Sequence, residues 1–316
     1  MRDATLRDVA QLAGVSARTV SNVVNGYARV TERTRVKVER AIVELDYRPN
    51  VLARNLANGR SGQIAVVVPY LDTPYFAELL QGIIPRARER GYNVLIDQTD
   101  GDPVHERELI RRGARGFAFD GMILSPLGLA QADLSDHDAS LPLVILGERT
   151  SASTFDHVGI DDVQASREAT RHLLDLGLAH EDAGLAVDES LVIGTPRFNR
   201  ADGAGAMTLL LDRDDPPDAA FCYSDLVALG ALHAALERGL RVPEDIALIG
   251  YDDIEEGRYS NPTISTISPD KTAIAATAVD RLLQRIGSSP ERLPGIEVRA
   301  THRLVARQST VGRLRG

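Results

Sequence analysis

Arg18 and Asn22 stand four residues apart in the stretch TLRDVAQLAGVSARTVSNVVNG, Thr5 to Gly26. A guanidinium forks onto guanine O6 and N7, and a carboxamide onto adenine N6 and N7, so the pair has the chemistry to read base edges in a major groove. The alternative for either residue alone is an ordinary solvated helix face. What decides between the two is the elements that carry the pair. Thr5 caps a first helix with Asp8 in the capping-box position, Leu6, Val9, Ala10 and Ala13 recur at helical spacing, and Gly14 ends the helix. Ser16 caps a second helix. With Val20 as zero, Val23 lies at about 300° and Val24 at about 40° on its wheel, whereas Arg18 lies at about 160° and Asn22 at about 200°. The valines face inward and the polar pair outward, the arrangement of a helix-turn-helix. Its candidate DNA contacts are Thr5, Ser16, Ala17, Arg18, Thr19, Ser21, Asn22 and Asn25.

The chain is 316 residues long, enough for two or three domains. Its net charge of −9 argues at first against a polyanionic partner, but the charge is unevenly placed. Residues 1–60 hold 11 Lys and Arg against 6 Asp and Glu, leaving 25 against 39 for the rest. A basic head on an acidic body fits local DNA contact. The single cysteine, Cys222, excludes an intramolecular disulfide and a cysteine-based metal cluster. Neither an export signal nor an apolar run of bilayer length is seen, so a cytoplasmic protein without membrane contact is expected.

Thr31 caps a third helix whose Val38, Ala41, Ile42 and Leu45 close a three-helix core, and the head ends near Tyr47. YRPNVLARNLANGR, residues 47–60, reads as a hinge, with Ala53, Leu56 and Ala57 on one face of a helix too short to be stable alone. The head, YRPN and ARNL together closely resemble the LacI family of bacterial transcription regulators, and the similarity covers nearly the whole chain. The resemblance implies that the hinge folds on operator DNA, with Ala53 and Leu56 at the DNA and Leu56 wedged into the minor groove. Asn22 stands where the family most often has arginine, so the operator sequence does not carry over.

From Ile64 onward apolar runs alternate with amphipathic helices, the signature of parallel sheets with helices on both faces. Expected strands are Ile64–Pro69, Tyr92–Ile96, Gly121–Leu124, Leu143–Leu146, Val158–Ile160, Leu191–Gly194, Ala219–Tyr223 and Ile246–Tyr251, with a terminal strand pair near Ile296–Val305. Helices are expected at Pro74–Arg90, where Pro85 should introduce a kink, and at Asp202–Leu211, Leu226–Glu237 and Lys271–Ile286. The expected fold class is an all-α helix-turn-helix head plus an α/β periplasmic-binding-protein-like body of two doubly wound parallel-sheet subdomains. Resemblance implies chain crossovers near residues 160, 265 and 290. The expected division is 1–47 (head), 48–61 (hinge), 62–160 with about 270–290 (first subdomain), and 161–268 with about 291–308 (second subdomain, in the C-terminal part 161–316).

Open α/β sheets bind ligands at the carboxyl ends of their strands. By resemblance the candidates there are Tyr75, Phe76, Ser224, Asp225 and Asp252, residue types that suit a sugar or similar polar effector. Core packing for Tyr75 and Phe76, and helix capping for Asp225, are the competing roles. Ser268 and Pro269 stand where the family often has a glutamine, which removes one usual contact. No phosphate-binding loop, dinucleotide fingerprint, HExxH or GxSxG is present, and no catalytic residue, cofactor or metal is expected. The acid pairs Asp161-Asp162 and Asp252-Asp253 are read as loop-orienting. A transport binding protein is a third reading, disfavoured by the DNA-binding head.

Near Gly177 the chain departs from the family. The helix with Ala165, Ala169, Leu173 and Leu174 ends at DLG, and the sequence continues LAHEDAGLAVDESLVIG as though about 25 residues were skipped, among them a central strand and the family's ligand-binding arginine. Two readings therefore stay open: a regulator, expected to be a repressor, controlled by a small polar effector, and one whose shortened subdomain no longer senses sugar. Both expect a homodimer on a pseudo-palindromic operator, since one head presents little surface, and RQSTVGRLRG offers no heptads for a tetramer.

Overall fold

Local signals at helix ends account for the head. In the computed structural model, which describes residues 4–24, 30–47, 60–114, 119–129, 133, 141–147, 155–176, 188–288 and 293–311, residues 1–62 and 63–316 form two compact units. In the first, α1 (Leu6–Ala13) opens with the Thr5–Asp8 capping box and closes on Gly14 at φ 64°, a left-handed position that glycine takes without strain. Ser16 Oγ accepts from the Thr19 amide at 3.1 Å ahead of α2 (Ala17–Val24), and the Thr31 hydroxyl accepts from the Thr34 amide at 3.4 Å ahead of α3 (Glu32–Glu44). Val9, Ala10, Val20, Val23, Val38 and Ala41 form its buried core.

The second unit holds two sheets. The larger has six parallel strands in the order β2-β1-β3-β4-β5-β9: β1 (Gln63–Val68), β2 (Asn93–Gln98), β3 (Met122–Leu124), β4 (Leu143–Leu146), β5 (Asp156–Gly159) and β9 (Glu297–Arg299). Along β1 the side chains alternate between two cores. Ile64, Val66 and Val68 meet α4 (Pro74–Glu89) and α10 (Lys271–Gly287), while Ala65 and Val67 meet α5 (Pro103–Ala114) through Leu109 and Ile110. α4 continues through Pro85 to Glu89. α5 is absent from the sequence expectations because PVHERELIRRGA carries few apolar residues at helical spacing.

The smaller sheet has the order β10-β8-β7-β6: β6 (Ala219–Phe221), β7 (Ala247–Tyr251), β8 (Ser265–Pro269) and β10 (His302–Val305), the last antiparallel to β8. α6 (Asp162–Asp175) packs Ala165, Ala169 and Leu173 toward Ile249 and Ile267. α7 (Arg200–Leu211) and α8 (Asp225–Glu237) share the other core, and the short α9 (Glu255–Tyr259) follows β7. Their backbones touch: a Cβ on Gly230 would stand 2.0 Å from the Arg200 carbonyl oxygen.

Four expectations need correction. Leu191–Gly194 is not a strand: a 3-10 turn over Glu189–Leu191 leads into irregular chain. A strand requires a neighbour, and β6 pairs among the described residues only with β7. The segment near Ile296–Val305 is not a mutual pair, because β9 joins β5 in the larger sheet and β10 joins β8 in the smaller. The third passage between sheets therefore falls between Arg299 and His302 rather than near residue 290, which assigns 297–299 to the first lobe. The second passage falls between β8 and α10, a few residues later than 265.

Candidate DNA-binding head and interlobe cleft

In the head, Ala17, Arg18 and Ser16 are exposed, and Thr5, Thr19, Ser21 and Asn22 are half-buried. Thr5 and Ser16 spend their hydroxyls on the caps, Thr5 Oγ1 lying 2.7 Å from Asp8 Oδ2 and Ser16 Oγ 2.9 Å from Thr19 Oγ1. Arg18 projects from the first turn of α2 on the far side from buried Val20 and Val23. Asn25, Ala53 and Leu56 lie outside the described residues.

In the body, the carboxyl ends of strands from both sheets surround a chamber of about 320 Å³. After β1 the chain turns into α4, whose first turn presents Tyr75 and Phe76, their rings edge-to-face at 5.2 Å. After β6, Ser224 caps α8 by accepting from the Leu226 amide at 3.1 Å, and Ser224 and Tyr223 both line the chamber. At the end of β7, Tyr251 stacks on Tyr223 with centroids 5.2 Å apart, and Asp252 follows in the lining. Phe198, from the loop before α7, lies 6.4 Å from the Tyr223 ring. Of the five sequence candidates, Tyr75, Phe76, Ser224 and Asp252 are thus brought together.

Asp225 is not. It is fully buried behind the wall, Oδ2 accepting from the Ile254 amide at 2.9 Å, and burial pushes its carboxyl up to about 7. An oxygen held there by a backbone amide orders the turn after β7 and cannot reach a ligand.

That turn is strained. Asp252 and Asp253 both have positive φ, 101° and 51°, which non-glycine residues rarely adopt. Buried Asp253 supports it by accepting from Ser268 Oγ at 2.8 Å, Arg258 Nε at 3.2 Å and Arg307 Nη2 at 2.5 Å. Burial opposes its charge, yet the hydrogen bonds from Arg307 and Ser268 hold the carboxyl down at about 2. Lys271 Nζ donates to the carbonyls of Asp252 and Asp253 at 2.6 and 3.1 Å. Ser268 therefore serves Asp253, while Pro269 reaches the lining.

The acid pair at the first crossover divides its work. Asp161 caps α6, accepting from the Gln164 amide at 3.0 Å, whereas Asp162 lines the chamber and accepts from the Tyr251 hydroxyl. Burial raises the Asp162 carboxyl, and burial with the Asp162 bond raises the Tyr251 phenol. Sequence reasoning read Asp162 only as loop-orienting and passed over Phe198, Tyr223 and Tyr251. The two tyrosines had a signal, since they follow the apolar cores of two expected strands. Among the described residues the lining holds two carboxylates and no Lys or Arg, and no group of three His, Cys, Asp or Glu is poised for a metal.

Comparison with known proteins agrees with this arrangement. Residues 5–50 match the bacterial regulatory proteins of the lacI family, 61–190 the periplasmic binding proteins and sugar binding domain of LacI family, and 153–310 the periplasmic binding protein-like domain. The HTH-type transcriptional repressor PurR of Pasteurella multocida is 32% identical, covering 98% of this chain and 100% of its own. The chain belongs to the LacI family.

It is accordingly a DNA-binding transcriptional regulator, with a helix-turn-helix head and a periplasmic-binding-protein-like body. Among solved LacI-family structures, the lac repressor dimer bound to operator and an anti-inducer is 26% identical at a TM-score of 0.83, covering 98% of this chain and 100% of that one. The regulator CelR in complex with cellobiose is 29% identical at a TM-score of 0.68, covering 97% and 99%. The PurR alignment spans 340 positions against a chain of 316, so at least 24 of them fall opposite gaps in this chain. Members of the family bind operator DNA and small-molecule effectors. No described helix is long and apolar enough to cross a membrane.

Proposed function

We propose that this regulator represses transcription by binding a pseudo-palindromic operator as a homodimer, and that a small uncharged polar effector, a sugar being the best fit, sets its affinity from the interlobe chamber. The observation that carries the effector reading is the lining. Aromatic faces of Tyr75, Phe76, Phe198, Tyr223 and Tyr251 suit stacking on a sugar ring, and Asp162 and Asp252 suit its hydroxyls. The absence of a described basic lining residue disfavours a phosphorylated or carboxylated ligand, and CelR, a relative, is a cellobiose complex. At the DNA, Arg18 and Asn22 read base edges, with Ser16, Ala17, Thr19, Ser21, Asn25 and Thr5 around them. Ala53 and Leu56 enter the minor groove from the hinge. The protein is not an enzyme on this reading; its acids cap helices, order turns and line the chamber.

A second reading is favoured by one observation: among the described residues β6 pairs only with β7, and the expected Leu191–Gly194 strand does not form. A lobe so shortened would bind operator without responding to sugar. Selecting bound DNA from a random pool and then titrating neutral sugars against the selected complex tests both. A palindromic consensus with sugar-dependent release supports the first reading, and a palindrome indifferent to every sugar supports the second. A non-palindromic, unspecific pool would reject both.

A further inference from the structure

At the mouth of the cleft a second cavity, of about 370 Å³, opens between Tyr70, Asp72 and Thr73 of the first lobe and Arg197, Phe198, Asn199 and Arg200 of the second. The Arg197 guanidinium carbon stands 4.3 Å from the centroid of the Tyr70 ring, and Arg197 Nη2 lies 3.9 Å from Asp72 Oδ1. The two sides belong to different sheets, joined covalently at the crossovers near residues 160, 270 and 300, none of which takes part in this contact.

We infer that Arg197 is an interlobe latch, a positioning residue that holds the cleft closed by resting its guanidinium on Tyr70. Both partners are fixed from behind. The Arg197 amide donates to Asp202 Oδ2 at 2.7 Å, which ties the loop to the first turn of α7. Tyr70 is buried at the end of β1, its hydroxyl donating to the Asp100 carbonyl at 3.2 Å. A planar cation on an aromatic face tolerates sliding and unstacks as a unit, which suits a contact that must open. Asp72, largely exposed, adds a screened attraction and no more. The latch residue is the chain neighbour of Phe198, which lines both the mouth and the chamber. A ligand stacked on Phe198 and a closed mouth therefore support one another.

The test needs no ligand. Spin labels at Val104→Cys on α5 and Leu236→Cys on α8, 63% and 45% exposed, report the distance between lobes in the full chain. Native Cys222 stays silent because it is buried and its thiol is pushed up to about 12. Labelled chain is diluted into excess unlabelled chain so that distances within one protomer dominate. Arg197→Ala should shift the open-to-closed ratio roughly two- to five-fold toward longer distances, the effect of losing a partly exposed cation–π contact. Arg197→Lys should fall between, and Tyr70→Phe, which keeps the ring and loses only its bond to the Asp100 carbonyl, should shift the ratio less than Arg197→Ala. Thermal melts establish that each variant is folded. An Arg197→Ala distribution superimposable on the parent's, or an equal shift in Tyr70→Phe, overturns the latch.

Discussion

The buried carboxylate of Asp225 accepts a hydrogen bond from the Ile254 amide at 2.9 Å, while its other oxygen lies against Gly250, where a Cβ would come within 2.1 Å of it. Burial raises this acid from 3.8 to about 7. Below about pH 4 it is protonated folded or unfolded. Between about pH 4 and 7 the unfolded chain gives up the proton while the folded chain keeps it, so stability falls as pH rises. The loss is complete above pH 7 and amounts to about 2–4 kcal/mol. Asp225→Asn keeps an oxygen for Ile254 and removes the titration. The stability difference between variant and parent should therefore move in the variant's favour between pH 5 and pH 8. A difference that stays constant with pH, measured by urea unfolding, contradicts the assignment.

Arg18 and Leu56 make separable predictions at the DNA. Arg18→Ala should weaken operator binding by about 1–3 kcal/mol and relax preference at one base pair. The exposed position predicts no loss of head stability. Leu56→Ala should reduce DNA bending and leave the base preferences intact. Binding selection and a bending assay on both variants decide this, and equal bending by the Leu56 variant and the parent removes the wedge.

Glu106 governs a wall of the cleft from beneath. It is fully buried, and its carboxylate accepts from the amides of Leu127, Gly128 and Leu129 at 3.0, 3.2 and 3.1 Å and from Thr99 Oγ1 at 3.3 Å. Glu106→Ala leaves three amides without their acceptor, so a loss of about 2–4 kcal/mol is expected. Leu127 lines the chamber, so any effector should bind more weakly as well. Glu106→Gln, with one acceptor oxygen, should lie between. A midpoint in urea unchanged by Glu106→Ala refutes the role.

What could be read from the sequence was what is decided locally. The Thr5 and Ser16 caps, Gly14 and the valine face need only neighbours within four residues, so the head follows from spacing. The strands flanking the cleft are apolar runs, and it is the family resemblance that picks out Tyr75, Phe76, Ser224 and Asp252 at their carboxyl ends. Asp225 misleads because its fate depends on Ile254 and Gly250, which the chain brings there from another strand. Ile296–Val305 misleads for the same reason, since two adjacent strands choose partners 140 and about 35 residues back, in different sheets. Phe198 is invisible because its place 6.4 Å from the Tyr223 ring is set by a residue some 25 positions later, at the end of another strand, and by no pattern near it in sequence.

The second lobe carries the last prediction. β6 pairs with β7 alone among the described residues and is half-buried, whereas β1 lies between β2 and β3 and is almost wholly buried. An amide that is buried without a partner costs about 1–3 kcal/mol, and one exposed at an edge gains no protection, so either way the smaller sheet is the weaker. Its remaining core depends on close α7–α8 contact at Gly230 rather than on a central strand. Native-state hydrogen exchange should therefore show β6 amides exchanging at least about ten-fold faster than those of β1, with the smaller sheet opening below the global unfolding free energy. The same weakness predicts a weak or absent response to simple sugars, while the separately packed head retains DNA binding. Uniform protection across both sheets, together with micromolar sugar-induced release of operator, would show that the second lobe is neither weakened nor insensitive, and would overturn this prediction.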